Sequence, residues 1–144
     1  MLIDRTGIAK LIPHAQRMCL LDGVLSWDGV RLRCTTRTHL EADNPLRRNG
    51  RLGVLCGVEY AAQAMALHGA LAAGAGWSRG GYLASVRALV CHVDRLDLTA
   101  GSLSVDVQRS HGDGERAIYS FAVNGDGRSL LTGRAAVVLG DLAA

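Results

Sequence analysis

The stretch from Leu52 to Ser78 constrains the fold more than any other part of the chain. Glu59 is its only formally charged residue, and its core from Val54 to Ala73 is rich in alanine, leucine and methionine. These residues favour a helix, and Gly53 and Gly74 frame it. Apolar residues occupy every face, so this helix has to be covered on all sides. The sequence therefore predicts a central helix that carries one enclosed acid.

Short strand-like segments lie on both sides of this helix. Two precede it, from Met18 to Trp27 and from Val30 to Thr35, and Asp28-Gly29 between them is a strong hairpin signal. Four more follow it, at 82–96, 103–108, 117–123 and 130–139, with turn signals at Asp113-Gly114 and at 124–127. This order predicts an α+β protein with a mostly antiparallel sheet of five to six strands, folded as a single domain over residues 1–144.

A helix that is apolar all round cannot lie on a flat sheet, because its outer face would stay in water. A sheet that curls around the helix, helped by a second subunit, covers it. This geometry resembles the hot-dog fold, whose sheets usually pair edge to edge in a dimer. A transmembrane helix over residues 52–73 is the alternative. Glu59, Gln63 and His68 argue against it, since an acid at the bilayer centre costs about 3 kcal/mol.

Composition narrows the possible partners and the compartment. The formal charge is only +3, and the basic residues are scattered, without stacking aromatics on a basic face, so no nucleic-acid partner is predicted. The four cysteines form no C-x-x-C pair and have no histidine at metal spacing, so no metal site is predicted. Buried thiols and the absence of a signal-peptide pattern predict a cytoplasmic protein.

Glu59 and Gln63 are the candidate chemical residues of the helix. They are four positions apart and therefore share one face. A carboxyl enclosed without a partner tends to hold its proton, and a neutral carboxyl can act as a proton donor. The alternative is a structural ion pair with an arginine from the sheet, such as Arg87 or Arg95. The residues alone leave both interpretations open.

Two segments resemble bacterial 3-hydroxyacyl-(acyl-carrier-protein) dehydratases. The segment G-V-E-Y-A-A-Q-A at 57–64 resembles the E-x-x-x-Q start of that family's central helix. The segment L-I-P-H at 11–14, followed by M-C-L-L-D-G-V at 18–24, resembles its L-P-H…L-L-V-D-R-V opening. The G-x-E-Y-x-A-Q form is more similar still to the dehydratase-like proteins of aryl polyene clusters.

The resemblance implies a hot-dog fold and removal of water from a 3-hydroxyacyl thioester in fatty-acid or polyene biosynthesis. It implies Glu59 as the catalytic acid, Gln63 as its support, and Gly53, Val54 and Gly57 as the turn that binds the thioester carbonyl. It also implies an acyl carrier protein or acyl-CoA as substrate carrier, with the acyl group on phosphopantetheine and no other cofactor.

The catalytic histidine of the family is missing from its usual place. In relatives it lies in G-H-F-P-G, fourteen residues before the acid, and that position is Pro45 here. Among the other histidines, His39 is the best substitute, at the end of an alternating strand. His68 lies nine residues beyond Glu59 and so faces the other way, and His14, His92 and His111 are weaker candidates.

Arginines beside the helix suggest how an acidic carrier would dock. Arg47 and Arg48 precede it and Arg79 follows it, and guanidinium groups suit carboxylates and phosphates. A solvated loop is the alternative interpretation. Three functions remain open: an active dehydratase with an unusual base, as a homodimer; a catalytically incomplete subunit of a heterodimer with an active hot-dog paralogue; and a hot-dog thioesterase.

Overall fold

The computed structural model describes residues 1–12, 18–73, 81–112 and 116–139 of the 144-residue chain. Between the third strand and the long helix lie short 3-10 turns at Thr38–Leu40 and Val54–Cys56. The helices and strands, in chain order, are β1 (Ile3–Asp4), α1 (Arg5–Leu11), β2 (Gly23–Trp27), β3 (Arg31–Thr36), α2 (Gly57–Ala73), β4 (Gly81–Cys91), β5 (Leu103–Gly112), β6 (Arg116–Gly125) and β7 (Arg128–Leu139). The predicted α+β class and the central helix are confirmed.

The seven strands form one antiparallel sheet in the order β1-β2-β3-β5-β6-β7-β4. The strand that follows α2 therefore lies at one edge and pairs only with β7 within the described chain. This leaves a row of backbone N–H and C=O groups along β4 without a strand partner in the described residues. Such an edge is a natural place for another strand to add.

One face of the sheet is apolar and packs against α2. In β3 the buried Leu32 and Cys34 alternate with the exposed Arg31 and Arg33, as the sequence pattern predicted. The strands β5, β6 and β7 continue the same buried face with residues that surround the helix, among them Val105, Val107, Tyr119, Phe121, Val123, Leu131 and Val137.

Aspartate-glycine pairs close the described hairpins. The Asp28 carboxylate accepts hydrogen bonds from the N–H groups of Val30 and Arg31, both at 2.8 Å. Asp126 and Gly127 both have positive φ, at 52° and 74°, which a two-residue hairpin turn requires and which aspartate and glycine adopt readily. The predicted turn at Asp113-Gly114 lies outside the described residues, but β5 and β6 pair up to Gly112 and Ala117.

Two predicted strands are shorter than expected, and tertiary contacts explain both. The segment from Met18 to Leu20 bonds to a side chain of α2 instead of to a strand. The His92 N–H still donates to the Leu130 carbonyl of β7, but beyond it the chain turns toward the start of α2, where the Leu96 N–H donates to the Leu52 carbonyl at 2.8 Å. Among the described residues, no helix has the length and apolar character needed to cross a membrane.

Candidate active site

Glu59 lies in the first turn of α2, on a side of the helix that the rest of the described chain covers only in part. Leu55, Val58, Glu59, Ala62 and Ala66 follow one another along this side, and we call them the open stripe. Leu55 is 60% exposed and the other four are half-buried. By contrast, the other sides of the helix carry fully buried residues. The acid therefore interrupts an otherwise apolar surface strip.

Gln63, one turn further along α2, holds the Glu59 carboxylate. Its Nε2 donates to Glu59 Oε1 at 3.3 Å and to the Met18 carbonyl at 2.6 Å, and its Oε1 accepts from the Leu20 N–H at 2.9 Å. The two backbone contacts fix which way the amide points, so that an N–H is directed at the acid. The structure thus brings Glu59 and Gln63 together, as their spacing predicted.

The alternative of a structural ion pair has no support in the described residues. Arg95 bonds to Asp97 in a fork of two contacts, at 3.1 and 2.5 Å. Arg87 lies in β4 opposite Arg134, on the sheet face away from α2. Gln63 is the one recorded hydrogen-bond partner of Glu59 within the described chain. Among the described residues, the Glu59 carboxylate therefore has no partner besides this amide.

A buried polar network that sequence reasoning missed lies beside the acid. The Tyr60 hydroxyl is 2.7 Å from Thr38 Oγ1 and accepts from Asn44 Nδ2 at 3.0 Å. Asn44 Nδ2 also donates to the Thr38 carbonyl, and Thr38 Oγ1 donates to the carbonyl of Leu20. Asn44 adjoins Pro45, the position where the family resemblance led us to look for a histidine, and this adjacency was the one available signal. The loop is thus locked against α2 by an amide that cannot act as a base.

His39 is fully buried, and its ring has no hydrogen bond to this network. Its Nε2–H donates to the Thr99 carbonyl at 2.9 Å, and its Nδ1 has no hydrogen-bond partner among the described residues. Burial, partly offset by the backbone of Thr99 and Gly101, lowers the pKa of this imidazole. The recorded contact of His39 is therefore with the loop after β4 and not with Glu59. Its role as a base stays a prediction.

The other histidines lie elsewhere. His68 is buried, with Nδ1 accepting from the Tyr119 hydroxyl at 2.7 Å and Nε2–H donating to the Asp28 carbonyl at 2.9 Å. His92 and His111 are exposed, in the segment after β4 and in β5. The position of His14 lies outside the described residues. No described histidine forms a recorded hydrogen bond with Glu59.

The turn before α2 is held by the segment after β4. The Val54 N–H donates to the Asp94 carbonyl at 2.9 Å, and Asp97 accepts from the Leu52 N–H at 3.0 Å. The hydrogen bonds from Arg95 lower the pKa of the Asp97 carboxyl to about 2, so this acid is charged at neutral pH and can accept from the Leu52 N–H.

These contacts bear on the residues predicted to bind the thioester carbonyl. The Val54 N–H is already used by Asp94. Gly57 is buried, and a Cβ there would lie 2.7 Å from Leu131 Cδ2. Close packing against Leu131 therefore favours a glycine at this position. Space around Gly53 is open. Of the three, Gly53 is therefore the one with room beside it for a substrate.

The arginines predicted to dock a carrier differ in environment. Arg47 donates to the carbonyls of Gly50 and His39 and lies 3.9 Å from Asp97, so its guanidinium is engaged inside the protein. Arg48 is exposed. Arg79 lies outside the described residues. Docking of a carrier stays a prediction for all three.

Comparison with solved structures establishes the architecture. The chain is similar to the dehydratase heterocomplex ApeI:P of Xenorhabdus doucetiae, with a TM-score of 0.80, 20% identity, and coverage of 94% of this chain and 92% of that one. It also resembles a thioesterase of Haemophilus influenzae, with a TM-score of 0.68, 9% identity, and coverage of 100% and 98%. A mutant thioesterase of Pseudomonas aeruginosa is also similar, with a TM-score of 0.64, 12% identity, and coverage of 96% of this chain and 94% of that one. The fold is the hot-dog fold.

The family model is more specific than the fold. Residues 6–143 match the model of ApeP-like proteins, described as ApeP dehydratase. Because the match spans nearly the whole sequence, the chain belongs to the ApeP-like dehydratase family. The resemblance to dehydratase-like proteins of aryl polyene clusters is thereby confirmed. No curated protein matches the sequence.

Proposed function

We propose that this chain is the acid-bearing subunit of a 3-hydroxyacyl thioester dehydratase, and that a hot-dog paralogue contributes the histidine base. One observation carries the proposal. Glu59 is half-buried on the open stripe of α2, and its one recorded partner in the described chain is an amide. An acid in this setting is ready for a second group, and the described part of the chain supplies none.

In the proposed reaction, the partner's histidine removes the proton alpha to the thioester carbonyl. The electron pair left by that proton forms the new double bond, the C–O bond at the neighbouring carbon breaks, and Glu59 protonates the departing hydroxyl so that it leaves as water. Gln63 orients the carboxyl through the 3.3 Å contact. A subunit that covers the open stripe would also exclude water from the reacting groups.

Two surfaces support a paralogue as partner. The open stripe exposes apolar area on the central helix, and β4 presents an unpaired edge in the described sheet. A second hot-dog sheet could pair along β4 and place its own loop against α2. The relative from Xenorhabdus doucetiae is itself a heterocomplex. We therefore favour a heterodimer over a homodimer, in which both chains would lack the usual histidine.

Membership of the family supports a substrate class. We propose an acyl group carried as a thioester on phosphopantetheine, of an acyl carrier protein or of coenzyme A, in fatty-acid or polyene biosynthesis, with no further cofactor. Cys19, Cys34, Cys56 and Cys91 are free thiols. Free thiols suit a reducing compartment, so we place the reaction in the cytoplasm.

A thioesterase is the second candidate, because an acid held by an amide could activate water without any histidine. The same assay separates the two. The chain would be incubated with a 3-hydroxyacyl-carrier substrate, alone and with a co-expressed paralogue that contains G-H-F-P-G. The enoyl product would be detected by its loss of 18 mass units, the mass of one water, and any hydrolysis by release of free thiol.

We expect no turnover from the isolated chain and enoyl product from the complex. Glu59→Gln should lower the rate of its formation by about a hundredfold or more, whereas Glu41→Gln, the same change at an exposed acid, should leave it unchanged. Enoyl product from the isolated chain would instead point to an internal base such as His39. Free thiol without enoyl product would favour the thioesterase, and full activity of the Glu59→Gln complex would refute the proposal.

A further inference from the structure

Two arginines face each other on the side of the sheet away from α2. Arg87 of β4 and Arg134 of β7 are directly opposite in register, and both are exposed. Side chains at such positions start about 5 Å apart and point to the same side. Within the described residues, neither guanidinium has a recorded hydrogen bond or ion pair. Two positively charged side chains therefore start from directly opposed positions on one face of the sheet.

No described neighbour neutralises this pair. Arg134 lies opposite Ser120 on its other side, and Thr132 and Ala136 flank it along β7. Asp106, a described acid on this face, already accepts from Arg33, Ser104 and Asn124 at 2.6 to 2.8 Å. Like charges directly opposite each other destabilise a sheet. The arrangement therefore has an electrostatic cost that a bound anion would remove.

The backbone beside Arg87 is strained. Ala88 has a φ of +57°, and the pairing of β4 with β7 shifts register between Arg87 and Val90. A positive φ is unfavourable for alanine, and a bulge at the edge of a sheet redirects the side chains next to it. Strain of this kind concentrates at functional sites. It is a second feature, independent of charge, at the same place.

An open concavity that neither arginine lines begins at Ser120, the residue opposite Arg134. Ser120 and Ala122 have small side chains, and they line a shallow concavity of about 370 Å³ that extends across β5 to Arg31 and Gln108. Across the strands, Arg31, Gln108, Ser120, Arg134 and Arg87 form one continuous row by register. An anionic head group at the two arginines would thus leave room for an attached polar group along this row.

We propose that Arg87 and Arg134 form a binding site for one phosphate group, with Ser120 as a neighbouring hydroxyl donor. Each guanidinium can donate two parallel hydrogen bonds to a phosphate. The ligand is either free phosphate or a phosphate ester whose organic part lies in the concavity. The site is on the opposite side of the sheet from Glu59, so it does not depend on the proposed dehydratase activity.

Calorimetric titration of the purified chain at low ionic strength tests the site, with inorganic phosphate and with phosphopantetheine as probes. We expect saturable binding at one site, weakened at least tenfold in the Arg87→Gln/Arg134→Gln double variant. Arg128→Gln removes the same charge from an exposed position of the same strand and should leave binding unchanged. Tighter binding of phosphopantetheine would identify an ester as the ligand, and equal binding would identify free phosphate.

Arg134→Lys keeps the charge but loses the planar guanidinium that binds phosphate through two hydrogen bonds. This single variant keeps the proposal testable if the double variant aggregates. We expect this variant to bind phosphate several-fold more weakly than the wild type. Equal weakening by Arg128→Gln would reduce the effect to general electrostatics and overturn the proposal. Unchanged binding in Arg134→Lys, or no saturable binding of either probe, would also overturn it.

Discussion

The two sides of helix α2 differ in how completely their polar groups are buried and hydrogen-bonded. On the closed side, His68 is fully buried and both its ring nitrogens are hydrogen-bonded, to Tyr119 and to the Asp28 carbonyl. On the open stripe, Glu59 is half-buried and bonds only to Gln63 among the described residues. A buried polar group with all partners in place stabilises the fold, whereas one with a free partner site can do chemistry.

The largest expected effect separates activity from stability at Glu59. In the complex with the paralogue, Glu59→Gln should lower turnover by about 10² to 10⁴-fold, because it removes the general acid. The same change should alter the free energy of unfolding of the chain by less than about 0.5 kcal/mol, since the position is half-exposed. Steady-state kinetics and urea unfolding measure the two. A large loss of stability with little loss of turnover would show that Glu59 stabilises the fold and does not act in catalysis.

His68→Ala should show the opposite behaviour. It leaves a cavity between the helix and the sheet and removes the partner of the buried Tyr119 hydroxyl, at a cost of about 3 kcal/mol in the free energy of unfolding. His111→Ala, at an exposed position of β5, is the control and should cost less than about 0.5 kcal/mol. If urea unfolding showed a similarly small loss of stability for both variants, the buried hydrogen bonds of His68 would contribute little to the stability of the fold.

Low pH should reduce the stability of the fold through His68 on the closed side of α2. Burial lowers the pKa of His68 below its ordinary value of 6.5, despite the favourable backbone contact with Asp28, and Arg109 acts in the same direction as burial. The unfolded chain therefore binds the proton first, so stability is intact above pH 6.5 and falls as the pH drops from there toward the lowered pKa.

One such histidine changes the free energy of unfolding by at most about 1.4 kcal/mol per pH unit. His39 acts in the same direction, because burial lowers its pKa as well. His68→Gln cannot titrate but can keep both hydrogen bonds, so thermal unfolding between pH 7 and 5 should show a smaller slope than in the wild type. An unchanged slope would assign the acid sensitivity to His39 or to other groups.

The smallest expected effect sharpens the role of Gln63. Gln63→Met keeps the volume but leaves the Leu20 N–H and the Met18 carbonyl without their partner, which should cost about 1 kcal/mol. Hydrogen exchange should quicken at Leu20 specifically. If turnover of the complex also falls while the apparent affinity for substrate is kept, Gln63 positions the acid. An unchanged rate of hydrogen exchange at the Leu20 amide would contradict the hydrogen bond between Gln63 and Leu20.

Local patterns predicted much of this protein correctly. The long apolar segment around Glu59 became α2, the alternation in β3 became a half-buried strand, and Asp28-Gly29 became a hairpin. Each of these rests on short-range periodicity or turn geometry, which neighbouring residues fix. The predicted strand from Met18 was wrong at its start, because Gln63, more than forty residues later, takes up the backbone groups of that segment.

Sequence alone determined the central helix, the strand order along the chain, the single acid and the family resemblance, because periodicity, turn residues and motif spacing are local properties. The tertiary structure decided which groups meet. It tied Asn44 to Tyr60, turned His39 toward Thr99, and set Arg87 opposite Arg134. Such contacts join residues far apart in the chain, so they depend on how strands pair and how a helix packs, and no short segment encodes them.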